Sequence, residues 1–215
     1  MWARVHKLDR VKPLPGGGAI VFIEDERSQS QMQRTPSLST LVAIARVLSA
    51  HRALDAKFGG KGEVRYATST VVPSFLSEAI TRAGASIAER DGEKIKVPPS
   101  PAGVAAVIDV AFSDLAHHVR DSVGNVELAQ ALQAVEQRRR KAPLDKDKQP
   151  EQYWTSVLEL AALAGEMSRK RGGRWIDTRD MTMPFALKFP DGALAHPTTV
   201  AQTIVDGSST DTLVG

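Results

Sequence analysis

The chain has 215 residues, 42% of them apolar, 25% charged and 5% aromatic, with 28 Lys and Arg against 25 Asp and Glu for a net charge of +3. That balance excludes a wholly disordered chain, and no apolar run approaches the ~20 residues that span a bilayer. The first residues, Met1 to Lys7, lack the apolar core of a secretory signal, and the absence of cysteine removes disulfides, thiol catalysis and thiolate metal sites. The expectation is a cytoplasmic chain of one or two compact units, without membrane insertion.

The first elements read as two neighbouring strands. Val5, Leu8 and Val11 fit a strand imperfectly, Pro13-Leu14-Pro15-Gly16-Gly17-Gly18 is a break, and Ala19-Ile20-Val21-Phe22-Ile23 is a short β-branched run suited to a buried strand. Thr35 as a cap and Pro36 at the first helical position open a helix whose apolar stripe is Leu38, Leu41, Ile44, Ala45 and Leu48, stopped by Gly59-Gly60. Glu63 to Thr68 is a candidate strand. Pro73 and Ser74 start a second helix with Phe75, Leu76, Ala79, Ile80 and Ala83 on one side and Gly84 as its terminator. Short β-prone segments flank Asp91-Gly92, which predicts a hairpin over 86–97.

Pro98-Pro99-Ser100-Pro101 breaks the chain and opens a long helix to about Val123, with Val104, Val107, Ile108, Ala111, Leu115 and Val119 as its stripe. Gly124 ends it, and Asn125 is placed to cap a further helix through Leu128, Leu132 and Val135. Pro143 to Pro150 reads as a linker. A largely buried helix follows over 151–171, with Trp154, Val157, Leu158, Leu163 and Met167; Ala161, Ala162 and Gly165 are small enough for another backbone to approach. Gly172-Gly173 terminates it. Strands are predicted from Trp175, at 184–189 and at 193–196, then a short helix from Pro197 to a stop at Gly207. No internal repeat is evident. The fold class is α+β and helix-rich: a mixed unit over 1–97, a helical segment over 98–141, a basic linker over 142–150 and a small helix-plus-sheet unit over 151–215.

The positive charge is local. Arg138, Arg139, Arg140, Lys141, Lys146 and Lys148 stand against Asp145 and Asp147, so residues 138–148 carry +4 and the remainder −1. This segment is a solvated helix end, where cations complement the macrodipole, or a contact for phosphate or an acidic partner. A membrane-surface role is disfavoured, since no aromatic-rich amphipathic face adjoins it.

The run Leu158-Glu159-Leu160-Ala161-Ala162-Leu163-Ala164-Gly165-Glu166, then Gly172-Gly173-Arg174-Trp175, Asp191-Gly192, His196-Pro197 and Asp206-Gly207, resembles small bacterial domains of unknown function. Those domains join an apolar LGxxxGE-type helix to GGRW, a short sheet and a Pro-to-Gly helix. The likeness spans about 152–212 and departs at Ala162, where Gly is commoner. It implies a bacterial origin and a compact helix-on-sheet unit, and carries over no catalytic residue.

Few constellations suit catalysis. Glu24-Asp25-Glu26 follows a strand, where hard cations find oxygen ligands, and a metal-dependent hydrolase centred on Glu24 and Asp25 is one reading. His117-His118 point about 100° apart on a helix and do not match zinc spacings; His6, His51 and His196 are isolated. Gly16-Gly17-Gly18 precedes a strand and lacks a following Lys-Ser/Thr, unlike a phosphate loop. Phe75 to Val97 has the helix-then-hairpin order of a winged helix, with Arg82, Arg90, Lys94 and Lys96 able to meet phosphate, but Glu78, Glu89, Asp91 and Glu93 balance them. The leading expectation is a non-enzymatic protein acting through protein–protein contact, in an accessory, immunity-like or assembly-adaptor role, with no cofactor. Nucleic-acid association through 138–148 is the second.

Overall fold

The computed structural model describes residues 10–25, 36–68, 74–88, 101–178, 185–208 and 213. Its architecture is α+β, with six helices and two sheets among those residues. The chain divides into two compact units, the first holding the described residues through Ile108 and the second those from Asp109 onward.

The first unit is built on a four-stranded sheet in the order β1 (Arg10–Leu14), β2 (Gly18–Asp25), β3 (Gly62–Thr68) and β4 (Ser86–Ala88). β1 and β2 form an antiparallel hairpin in which Gly16 and Gly17 take positive φ and the Gly17 N–H donates to the Leu14 carbonyl. Contrary to the predicted break, Pro13 and Leu14 belong to the strand. Pro13 lies on an edge strand, which tolerates a residue with no N–H to donate.

β2, β3 and β4 are parallel, and parallel neighbours need long crossovers. α1 (Pro36–Phe58) supplies the first and α2 (Ser74–Arg82) the second. α1 packs on β2 and β3, α2 packs on β4, and the two helices touch, so they share one face of the sheet. The register pairs Val21 with Val64 and Ile23 with Tyr66, all buried. Alternation along each strand sends these side chains to a single face.

α1 departs from the predicted amphipathic stripe. It is buried nearly all round from Leu38 to Ala50, including Ser39, Thr40, Arg46 and Ser49, whereas Leu48 is half-buried. Short hydroxyl side chains on a central helix can be enclosed without charge, so polarity alone does not mark a wet face. α2 ends as expected at Gly84, and His51 of α1 ties that turn down through a hydrogen bond between Nε2 and the Gly84 carbonyl at 3.2 Å. Burial lowers the His51 pKa, against the opposing effects of that carbonyl and Asp55.

Of the predicted 86–97 hairpin only Ser86–Ala88 are among the described residues. These residues join the sheet as β4, parallel to β3, and the Asp91-Gly92 turn lies outside the described residues. α2 and β4 complete a β–α–β crossover, which is not the recognition helix and wing of a winged helix.

The second unit takes up α3 (Pro101–Ser122) from Asp109 onward. Asn125 does not cap the next helix. Its φ is +54°, following Gly124 at +107°, and the bonds Asn125 N–H to Arg120 O and Gly124 N–H to Asp121 O close α3 in a Schellman motif. α4 (Leu128–Lys141) starts after Glu127, whose side chain makes no capping bond. α5 (Pro150–Arg169) and α6 (Pro197–Val205) pack on one another and on α4.

β5 (Arg174–Asp177), β6 (Phe185–Lys188) and β7 (Leu194–Ala195) form an antiparallel sheet in chain order. Its core is aromatic. Trp175 stacks on Phe112 of α3 with ring centroids 3.7 Å apart, and Phe185 meets Phe112 edge-on at 5.2 Å. Gly165 of α5 faces the Trp175 indole so closely that a Cβ there would collide with the ring. Gly165 therefore admits the indole.

Candidate interaction surface

The basic segment singled out from sequence is partly paired. The Nε and Nη2 atoms of Arg140 donate to Oε1 of the buried Glu136 at 3.0 and 2.8 Å. On α5, burial pushes the Glu159 carboxyl above its usual pKa, and the charges of Arg139 and Arg138 pull it back down. Lys148 pairs with Asp145 at 3.4 Å, and Lys146 has an interaction of its own. Asp145 Oδ1 accepts the backbone N–H groups of Asp147 and Lys148, which hold its carboxyl below the ordinary range. Lys141 is exposed at the helix end.

Residues 142–149 are also tied down. Leu144 is buried and its N–H donates to the Val205 carbonyl at 2.8 Å. The linker is an ordered coil fastened to the end of α6.

Glu24 and Asp25 close β2 beside Ala67 and Thr68 of β3, at the carboxyl edge of the parallel strands. β3 ends at Thr68 and β4 at Ala88, and Glu26 lies outside the described residues. Among the described residues no three His, Asp or Glu side chains are grouped to hold a metal ion. His117 and His118 are both exposed, with His117 Nε2 3.9 Å from Glu166, and His196 stands exposed before α6. His6 lies outside the described residues.

A second basic region, absent from the sequence reading, lies at one end of the β5–β6–β7 sheet. Its cations are Arg169, Lys170, Arg171, Arg174 and Lys188. α5 ends in a Schellman turn, with Gly172 N–H bonded to Arg169 O and Gly173 N–H to Ser168 O. This turn lies against the β6–β7 turn: a Cβ on Gly172 would meet the Pro190 ring, and one on Gly173 the Phe189 ring. The Arg171 guanidinium sits 5.4 Å from the centroid of Phe189. Arg174 then begins β5 directly opposite Lys188, and Lys188 is directly opposite Leu194.

Residues directly opposite in a sheet point to the same side. Arg174, Lys188 and Leu194 are therefore a row on the outer face, all exposed, while Trp175 and Leu187 point into the core. Arg174 is 63% exposed. Leu194, at 53%, is one of the few large apolar side chains in solvent among the described residues.

The carboxylates nearby are engaged. Asp109 pairs with Arg169 at 2.7 Å and Arg174 at 3.4 Å, and it accepts the Trp175 backbone N–H at 3.1 Å. That last bond covers an N–H on the outer edge of β5, a common protection for an edge strand. Glu166 pairs with Arg169 at 3.4 Å, and Asp191 accepts the Ala193 N–H. No ion pair to Lys170 or Lys188 is present among the described residues. The signal available in the sequence is Arg169-Lys170-Arg171-Gly172-Gly173-Arg174, four cations in six positions interrupted by the two glycines that stop the helix.

Comparison with protein-family models, with curated proteins and with solved structures finds no match for this chain. None of its described helices is long and apolar enough to cross a membrane.

Proposed function

We propose that this chain is a non-enzymatic protein that acts by binding a partner protein, in an accessory, immunity-like or assembly-adaptor role, and that its C-terminal unit makes the contact. The observation that carries this reading is the outer face of the β5–β6–β7 sheet, where Lys188 and the exposed Leu194 stand side by side next to Arg174. A solvent-exposed leucine flanked by cations suits a protein surface with an apolar anchor and a charged rim. The intramolecular ion pairs of Arg140 and Lys148 support contact with protein over nucleic-acid binding through 138–148, because paired cations release fewer counterions from phosphate.

The test is affinity capture of the tagged chain from native lysate, with the Lys170→Glu/Lys188→Glu chain as the paired control. The expected result is a stoichiometric protein retained by the unaltered chain and depleted with the variant. Failure to retain any stoichiometric protein overturns the reading.

A further inference from the structure

We infer that the basic end of the β5–β6–β7 sheet docks an acidic segment of the partner protein that carries an apolar side chain. This rests on the protein-contact reading above and names the chemistry of what is bound. Strands in a sheet lie about 4.8 Å apart, so Arg174, Lys188 and Leu194 form a line spanning about 10 Å, ordered cation, cation, leucine. Lys170 and Arg171 extend the cationic end, on a turn held in place by Pro190 and Phe189.

Charge complementarity selects the partner. Asp109 pairs with Arg169 and Arg174, Glu166 pairs with Arg169, and Asp191 accepts the Ala193 N–H, so none of these carboxylates is paired with Lys170 or Lys188. Lys170 and Lys188 are exposed and have no ion pair among the described residues, which leaves them for carboxylates from outside. Leu194 decides between an acidic protein segment and nucleic acid. A phosphate backbone gains nothing from an exposed leucine, and nonspecific strand binding relies on aromatic platforms for bases. The aromatic ring at this end, Phe189, already has the Arg171 guanidinium over it. An acidic segment with one leucine-sized residue satisfies both halves of the row. The two sheet edges differ: Asp109 covers β5, whereas among the described residues no strand pairs with β7 on its far side.

The experiment is a fluorescence-anisotropy titration of the full chain with a labelled synthetic Glu/Leu peptide. A Glu/Ser peptide of equal charge and an oligothymidylate serve as comparison probes. The Glu/Leu peptide is expected to bind more tightly than either, and more weakly as salt is raised. Lys170→Glu/Lys188→Glu should weaken it by about tenfold or more. Leu194→Ser should remove the advantage of Glu/Leu over Glu/Ser and leave Glu/Ser unchanged. All three positions are exposed, and unchanged circular dichroism and melting of the variants establish that the fold is intact. The inference is overturned if the Glu/Leu peptide does not bind, or if it binds the charge-reversed chain equally. Tighter binding of oligothymidylate, indifferent to Leu194, overturns it in favour of a nucleic-acid surface. A native partner captured equally by wild type and Lys170→Glu/Lys188→Glu overturns this docking site while leaving the protein-contact reading standing.

Discussion

The second unit has two basic regions, and they use their charge differently. Residues 138–148 are contiguous in sequence and carry +4. In the fold, part of that charge is met by the chain's own carboxylates: Arg140 bonds the buried Glu136, and Lys148 pairs with Asp145 at the surface. The region around Arg169–Arg174 and Lys188 is split between a helix end and two strands. There the carboxylates are absorbed by Arg169 and by backbone N–H groups, and lysines are left over. Contiguity makes charge visible in a sequence, but the carboxylates that fold back onto it determine how much remains for a partner.

The contrast depends on the aromatic core that holds β5 in place, and breaking that core has the largest effect. Trp175→Ala should lower the unfolding free energy by about 3–5 kcal/mol, read from the denaturant midpoint, because it removes a fully buried indole stacked on Phe112. Gly165→Ala sharpens the same point. The substitution should favour the helix by about 1 kcal/mol, yet the added Cβ meets an indole backed by Phe112. Overpacking costs about 1–3 kcal/mol, so the net expected change is destabilising, and a rise in melting temperature would contradict the contact.

Asp109→Asn comes next. It removes the charge that Arg169 and Arg174 share and weakens the acceptor of the Trp175 N–H, at an expected cost of about 1–3 kcal/mol. The substitution also tests whether carboxylates in the second region are structural. If Asp109→Asn leaves the melting temperature unchanged, Asp109 is a free rim charge, and the difference between the two regions narrows.

Much of the second unit was legible from sequence. The order of helices and strands from Trp154 to Gly207, and the burial of Trp154 and Trp175, follow from periodicity, glycine stops and Pro-led helix starts. Phe112 did not stand out in the stripe of α3, because its role comes from the Trp175 indole, which reaches it from 63 residues away. The first unit was harder. A parallel pairing has no local turn to announce it, so the pairing of Ser86–Ala88 with β3 was not foreseen, while the expected turn at Asp91-Gly92 lies outside the described residues. Asn125 matched a helix start by residue type, but the left-handed turn after Gly124 claims it as a helix end. The candidate surface was invisible for a related reason. Arg174, Lys188 and Leu194 become neighbours only through strand register, which needs the whole sheet.

Glu159 gives a smaller test with a definite sign. Its folded pKa is raised by burial, which outweighs the attraction of Arg139 and Arg138. Its contribution is therefore fully favourable below the unfolded value and is lost as pH rises through the folded one. Glu159→Gln should melt higher than the unaltered chain at pH 7, and the gap should close on acidification toward the ordinary glutamate range. A lower melting temperature at neutral pH would mean that the pairing with Arg138 and Arg139 outweighs the burial. The first basic region would then be held by attraction rather than merely offset.

The smallest expected change comes from Lys170→Ala/Lys188→Ala. Neither lysine has an ion pair among the described residues, and both are exposed, so stability should move by less than about 0.5 kcal/mol. Lys188 also stands directly opposite Arg174, a like-charge pairing that its removal relieves, so a slight gain is the favoured sign. Arg140→Ala is the matched substitution in the other region, and it should cost stability by taking the Arg140 guanidinium from the buried carboxylate of Glu136. A loss from Lys170→Ala/Lys188→Ala comparable with that from Arg140→Ala would erase the distinction between the two regions. A loss confined to Arg140→Ala leaves the charge at 138–148 serving the fold, with the lysines at the sheet end free for a partner.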